Sequence, residues 1–169
     1  MKKDRIELVK GNIVSLNVDA IVNAANNSLR GGGGVDGAIH KAAGPELLAE
    51  CELLNGCLTG EAKITKGYRL KAKYVIHTVG PVWYGGDHDE TLLLASCYKS
   101  SLKLARSKRL KKIAFPGIST GVYRFPKDLA AEIAVNETRQ FLVKNPLPEK
   151  VIFVAFDDES YEMYSKLLK

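Results

Sequence analysis

The sequence predicts an α/β domain whose central sheet is largely parallel. Three observations carry that prediction. Four short apolar runs are continuous rather than alternating, as strands covered on both faces are. Segments with helical caps or helical periodicity separate them. Glycine-bearing loops follow two of the runs directly, where strands of such a sheet hand over to helices.

The elements follow in chain order. A first strand is expected over residues 5–9, with Ile6 and Leu8 on one side. Ala20-Ile21-Val22 is the first continuous run. A helix over 36–43 comes next, ended by Gly44, and Pro45 opens a second one that reaches residue 54 before Asn55-Gly56 breaks the chain. Residues 63–66 form a weaker strand and Tyr74-Val75-Ile76-His77-Thr78-Val79 a buried one. Over 91–107, Ala95, Tyr98, Leu102 and Ala105 recur at spacings of three and four, which is one helix face. Ile113-Ala114-Phe115 is the next strand. A long helix over residues 127–144 starts after Pro126 with Asp128 in its first turn. Val151-Ile152-Phe153-Val154-Ala155-Phe156 is the last strand, and a helix over 160–168 follows with Asp157, Asp158 and Glu159 at its positive end.

A length of 169 residues fits a single domain, 1–169, with a core large enough to need neither disulfide nor metal. The 46% hydrophobic share excludes a disordered chain. No uninterrupted apolar stretch is long enough for a membrane span. Met1-Lys2-Lys3-Asp4-Arg5 is basic but lacks a following apolar stretch, so no secretory leader is expected and a cytoplasmic location is. Cys51, Cys57 and Cys97 are odd in number and hold no C-x-x-C pair, so they read as core residues. The net charge of +6 points to an anionic partner, either nucleic acid or a phosphorylated small molecule.

Three loops at the expected carboxyl ends of strands carry the chemistry: 23–35, 116–126 and 156–160. In the first, Gly31-Gly32-Gly33-Gly34 leads into Val35-Asp36, so backbone N–H groups and a helix N-terminus converge as a phosphate site. No Gly-Lys-Ser/Thr follows, which excludes a Walker loop. Asp36 and His40 stand four apart on one helix face. Asp36 also fits a plain N-cap, and His40 an ordinary helix residue. Asn26 adds an amide suited to a sugar hydroxyl. The second loop, Gly117-Ile118-Ser119-Thr120-Gly121-Val122-Tyr123-Arg124-Phe125-Pro126, repeats the glycine pattern and suits a second linked phosphate, with Tyr123 and Phe125 as an apolar wall. Phe156 fits both a base-stacking platform and a core aromatic.

Residues 19–40 resemble the macrodomain family, and more narrowly its MacroD-type branch of ADP-ribose hydrolases. The resemblance rests on Asn23-Ala24-Ala25-Asn26 with the four glycines and Val35-Asp36-Gly37. It continues through Thr59-Gly60-Glu61-Ala62, Ile76-His77-Thr78-Val79-Gly80-Pro81, the 117–126 loop and Phe156-Asp157-Asp158, and covers essentially the whole chain. It implies a three-layer α/β/α macrodomain with a mixed, largely parallel central sheet and ADP-ribose bound across the sheet's end. Asp19 would accept the adenine amino group, with Asn12 and Ile13 nearby and Phe156 stacked on the ring. Backbone amides of Gly33, Gly34 and Val35, and of Ser119, Thr120, Gly121, Val122 and Tyr123, would surround the diphosphate. Asn26, Asp36 and His40 would act at the distal ribose. Two departures stand out: Gly11-Asn12-Ile13-Val14 replaces the common Gly-Asp-Ile-Thr, and Arg124 takes a position that is often glycine. His77 reads as a core histidine. Cys51 and Cys57 lie away from the catalytic loop, so no metal and no cofactor are expected.

The activity implied is hydrolysis of O-acetyl-ADP-ribose and removal of mono-ADP-ribose from acidic side chains of proteins. A water oriented by Asp36 and a substrate phosphate would attack, in a protein expected to be monomeric. Two alternatives remain: a non-catalytic ADP-ribose reader, and weak RNA contact through Lys99, Lys103, Arg106, Lys108, Arg109, Lys111 and Lys112, a stretch without acidic residues.

Overall fold

The apolar runs become strands of one sheet: β1 (Ile6–Lys10), β2 (Ala20–Ala24), β3 (Ala62–Lys66), β4 (Tyr74–Thr78), β5 (Lys112–Phe115) and β6 (Lys150–Ala155). This computed structural model describes residues 4–169; Met1, Lys2 and Lys3, part of the basic start weighed above, lie outside the described residues. The spatial order is β1-β6-β5-β2-β4-β3. The β3–β4 pair is antiparallel and the other pairs are parallel, so the sheet is mixed and largely parallel as expected.

Helices cover both faces: α1 (Gly34–Ala43) and α2 (Pro45–Leu53) on one, α3 (Glu90–Ser107), α4 (Lys127–Lys144) and α5 (Asp158–Leu168) on the other. Alternation along each strand explains the division. Ile21, Val75, Ala114 and Ile152 face α1 and α2, whereas Val22, Ile76, Phe115 and Phe153 face α3, α4 and α5. On that second face an aromatic row runs from Tyr98 to Phe115 (centroids 4.9 Å apart), on to Phe153 (6.1 Å) and to Tyr164 (5.0 Å). The result is the three-layer α/β/α fold.

Element boundaries differ in informative ways. β2 runs two residues further than its apolar run, because Asn23 and Ala24 go on pairing with His77 and Thr78. The buried polar Asn23 hid that extension. α1 starts at Gly34 with Gly33 as its N-cap, which places Asp36 inside the first turn and removes its N-cap reading. On α3, Leu94, Cys97 and Ser101 share the buried face with Tyr98, Leu102 and Ala105, while Ala95 is half-buried at its edge. A 3-10 turn at Ile13–Ser15 lacked a sequence signal; Asn12 caps it by accepting the Val14 N–H.

The topology fixes where a ligand can sit. From β2 the chain leaves toward α1 on one face, and from β5 it leaves toward α4 on the opposite face. β2 and β5 are neighbours, so a crevice opens between their outgoing loops at the carboxyl edge of the sheet.

Candidate functional site

Loops 25–33 and 116–126 flank this crevice. In the first, the Asn26 side chain shapes its own loop: Oδ1 accepts from Leu29 N–H (3.1 Å) and Ser28 Oγ (2.8 Å), and Nδ2 donates to the Gly31 carbonyl (2.9 Å). The backbone then turns through Gly31 (φ 91°) and Gly34 (φ 57°), a left-handed conformation that glycine adopts without penalty. The exposed amides of Gly33, Gly34 and half-buried Val35 open the α1 N-terminus, where N–H groups have no helical acceptor.

Asp36 is brought beside Asn26 as expected. A Cβ placed on Gly32 would lie 3.2 Å from Asp36 Oδ2 and 3.5 Å from Asn26 Nδ2, so the carboxylate and the amide flank that glycine together. Asp36 is only 5% exposed, and its Oδ1 accepts a 2.8 Å hydrogen bond from Asn23 Nδ2. His40 Nε2 sits 3.4 Å from the same oxygen without a hydrogen-bond partner of its own, and Gly31 passes close against the ring. Beside this loop lies a hollow of about 490 Å³ lined by Arg30, Gly32, His40, Lys41, Pro45 and Leu48.

On the other wall, Ser119 (φ 66°) and Arg124 (φ 62°) both take left-handed backbone, and Phe125 N–H closes back on the Ser119 carbonyl at 2.8 Å. Arg124 therefore stands where a glycine is conformationally natural. Thr120 and Tyr123 are half-buried, while Gly121 and Val122 are exposed at the loop tip. Tyr123 is tied to the β4 exit through its carbonyl, which accepts the Trp83 N–H at 2.8 Å. Phe125 does not line the crevice. It is 1% exposed and packs on Trp83 at 4.9 Å, so the expected apolar wall reduces to Tyr123.

At the β6 exit Phe156 is 83% exposed, which removes its reading as a core aromatic. Asn12 lies at the neighbouring β1 exit, next to the Gly11 N–H that bonds the Ala155 carbonyl at 3.0 Å. Ile13 turns its side chain into the core, leaving only its backbone for a ligand. Asp19 requires a correction. It precedes β2, at the opposite edge of the sheet from all these loops, and its Oδ2 holds the Lys111 and Lys112 N–H groups at 3.0 and 2.9 Å. An acceptor at that edge cannot meet an adenine stacked on Phe156. Lys108, Arg109, Lys111 and Lys112 lie at the same far edge, at the entry to β5, so this part of the basic stretch does not feed the crevice.

His77 is the core histidine expected, and Asn23, not singled out from the sequence as a side chain of interest, lies beside it: both are fully buried and stand in register on β2 and β4, under α1. A polar residue interrupting a buried strand was the available signal. Burial, with the nearby His40 adding to it, pushes the His77 pKa down to about 3, so the ring is neutral. The three cysteines are buried free thiols; burial raises the Cys51 and Cys97 pKa values to about 11. Among the described residues no cluster of His, Cys, Asp and Glu is placed to hold a metal, and no helix is long and apolar enough to cross a membrane.

Comparison with known proteins follows the same lines. The Macro domain family model matches residues 22–134. A Macro domain-containing protein of Methanosarcina mazei is 62% identical over 98% of this chain and 88% of its own length. A Salmonella gallinarum protein named O-acetyl-ADP-ribose deacetylase is 54% identical over 97% of this chain and 94% of its own. Among solved structures, a mutant of the Oceanobacillus iheyensis macrodomain with ADPR superposes at TM-score 0.94 with 44% identity, covering 99% of this chain and 96% of that one. The Trypanosoma brucei macrodomain in complex with ADP-ribose gives TM-score 0.93 with 47% identity, covering 98% of this chain and 69% of that one.

Proposed function

Since the chain belongs to the macrodomain family, we propose that it binds ADP-ribose in the β2–β5 crevice and hydrolyses acyl esters of the distal ribose, O-acetyl-ADP-ribose foremost. The observation that carries this reading is the pairing of the Asp36 carboxylate and the Asn26 amide across Gly32, directly beside unpaired helix-end amides suited to a diphosphate. Phe156 would stack on adenine at the β6 exit, and the amides of residues 33–35 and 119–123 would grip the two phosphates. That binding energy fixes the distal ribose over Asn26 and Asp36.

The reaction is ester hydrolysis. A water held by Asp36 and a phosphate oxygen attacks the acyl carbon; the new carbon–oxygen bond releases a carboxylic acid, and the ribose oxygen leaves with a proton as its hydroxyl. His40, against Asp36 Oδ1, restrains the carboxylate. Esters joining ADP-ribose to acidic side chains of proteins share the same acyl–ribose bond and are a second substrate class. The reading includes the whole chain, 1–169, acting as one monomeric domain in the cytoplasm without cofactor.

The deciding assay is acetate release from O-acetyl-ADP-ribose by wild type, Asn26→Ala and Asp36→Ala, with ADP-ribose affinity measured in parallel. Turnover by wild type that falls by about 100-fold or more in either variant supports the proposal. ADP-ribose binding by wild type without acetate release overturns it in favour of a reader.

A further inference from the structure

Asp36 ends a buried row of hydrogen-bonding groups that crosses three strands. Asn23 on β2 is in register with His77 on β4, and Thr65 on β3 lies diagonal to His77 on the same sheet face. Asn23, His77 and Thr65 are each 1% exposed or less. The contacts are continuous: Asn23 Nδ2 lies 2.8 Å from Asp36 Oδ1 and 3.1 Å from His77 Nδ1, His77 Nε2 lies 2.9 Å from Thr65 Oγ1, and Thr65 Oγ1 lies 3.1 Å from the Lys66 carbonyl.

The chemistry of the two ends fixes every proton between them. The Asp36 carboxylate only accepts, so the Asn23 atom facing it must be the NH₂ group. The same NH₂ faces His77 Nδ1, which must then be the bare acceptor nitrogen. The neutral ring therefore carries its proton on Nε2 and donates it to Thr65 Oγ1. The Thr65 hydroxyl in turn donates to the Lys66 carbonyl, which also only accepts. Asn23 Oδ1 is left buried without a partner, so the amide gains nothing by turning over while His77 keeps this tautomer. Cys51 Sγ, 3.7 Å from Nε2, stays a protonated thiol and supplies no competing anion.

We propose that His77 and Thr65 are positioning residues for the hydrolysis, holding the Asp36 carboxylate in its working orientation through the amide of Asn23. The proposal rests on the hydrolytic reading of the Asn26–Asp36 site. Without the Thr65 hydroxyl, the His77 Nε2 proton loses its oxygen acceptor, and only the Asn23–Asp36 end still opposes its shift to Nδ1. Once there, the proton would meet the Asn23 NH₂ head-on. The amide would turn over and set its carbonyl oxygen against the Asp36 carboxylate, which would move away.

Thr65→Val keeps the β-branched shape and removes only the hydroxyl; Thr65→Ser restores it. Four quantities are read for wild type and both variants: kcat on O-acetyl-ADP-ribose, Kd for ADP-ribose, the melting temperature, and the nitrogen NMR shifts of His77. In wild type, Nε2 is expected to be the protonated nitrogen. Thr65→Val is expected to lower kcat by between about 10- and 100-fold with Kd unchanged and the His77 tautomer altered. Thr65→Ser is expected to regain wild-type kcat. Wild-type protein without turnover overturns the hydrolytic reading and this inference together. Equal kcat in wild type and Thr65→Val, or Nδ1 protonated in wild type, overturns the inference alone. So does a loss of kcat and affinity in step with the melting temperature, which would mark a packing role.

Discussion

Gly80 and Ser119 meet so closely that a Cβ on Gly80 would stand 2.1 Å from Ser119 Oγ and 2.7 Å from Ile118 Cγ2. Ser119 already sits in left-handed backbone at φ 66°, and its hydroxyl is buried without a partner. The β4 exit thus props the base of the 116–126 loop. Gly80→Ala is expected to push Ser119 and the loop outward and weaken ADP-ribose binding by about tenfold, with overpacking costing about 1–3 kcal/mol of stability. Calorimetric titration with ADP-ribose and a thermal melt read the two effects separately; unchanged affinity would remove the prop.

Phe156 offers the converse case. It is 83% exposed, so its ring contributes little to folding. Base–aromatic stacking is worth about 1–3 kcal/mol, so Phe156→Ala is expected to weaken ADP-ribose accordingly while the melting temperature stays put. Ribose 5-phosphate, which has no adenine, should bind both proteins equally. A parallel loss for ribose 5-phosphate would place the effect elsewhere than in stacking.

Asp19→Ala tests the far edge of the sheet. The carboxylate holds two backbone N–H groups where β5 begins, and their loss is expected to cost about 1–2 kcal/mol in a denaturant titration. ADP-ribose affinity should not change. A selective loss of affinity would return Asp19 to the binding site.

The difference between Phe156 and Asp19 shows what was legible in the sequence. Strands, helices and the loop positions follow from apolar runs, caps and glycines, which are local signals. Asn26, Asp36 and Phe156 lie in or beside those loops and are placed as expected. Asp19 lies only one residue before a strand that leads into the site, yet the strand's full length separates it from the crevice. Linear proximity misled there. The Asn23–His77–Thr65 row depends on the register of three strands, and no local pattern encodes register between β2 and β4 across some fifty intervening residues. Phe125 was misplaced because the loop's left-handed turn at Arg124 swings the next side chain inward.

Glu90 supplies a pH-dependent test of the segment beside the second loop. Its side chain is 1% exposed at the start of α3. Burial alone would raise its pKa, but the backbone N–H groups of Tyr84, Gly86 and His88 all donate to the carboxylate and outweigh that effect, bringing it down to about 2. A folded pKa below the unfolded value of about 4.3 means that the ionised form stabilises the fold above that value. The contribution is lost as pH falls toward about 2. Glu90→Gln presents one carbonyl oxygen where two charged oxygens gathered three donors, so it is expected to melt below wild type at pH 7. The gap should narrow as pH drops from about 4.3 toward the folded value, because the wild-type carboxyl protonates and becomes the neutral group that glutamine mimics. Melts of both proteins between pH 7 and pH 2 measure that gap directly. A gap that stays constant with pH would mean that packing of the side chain, and not its charge, holds the 84–88 turn.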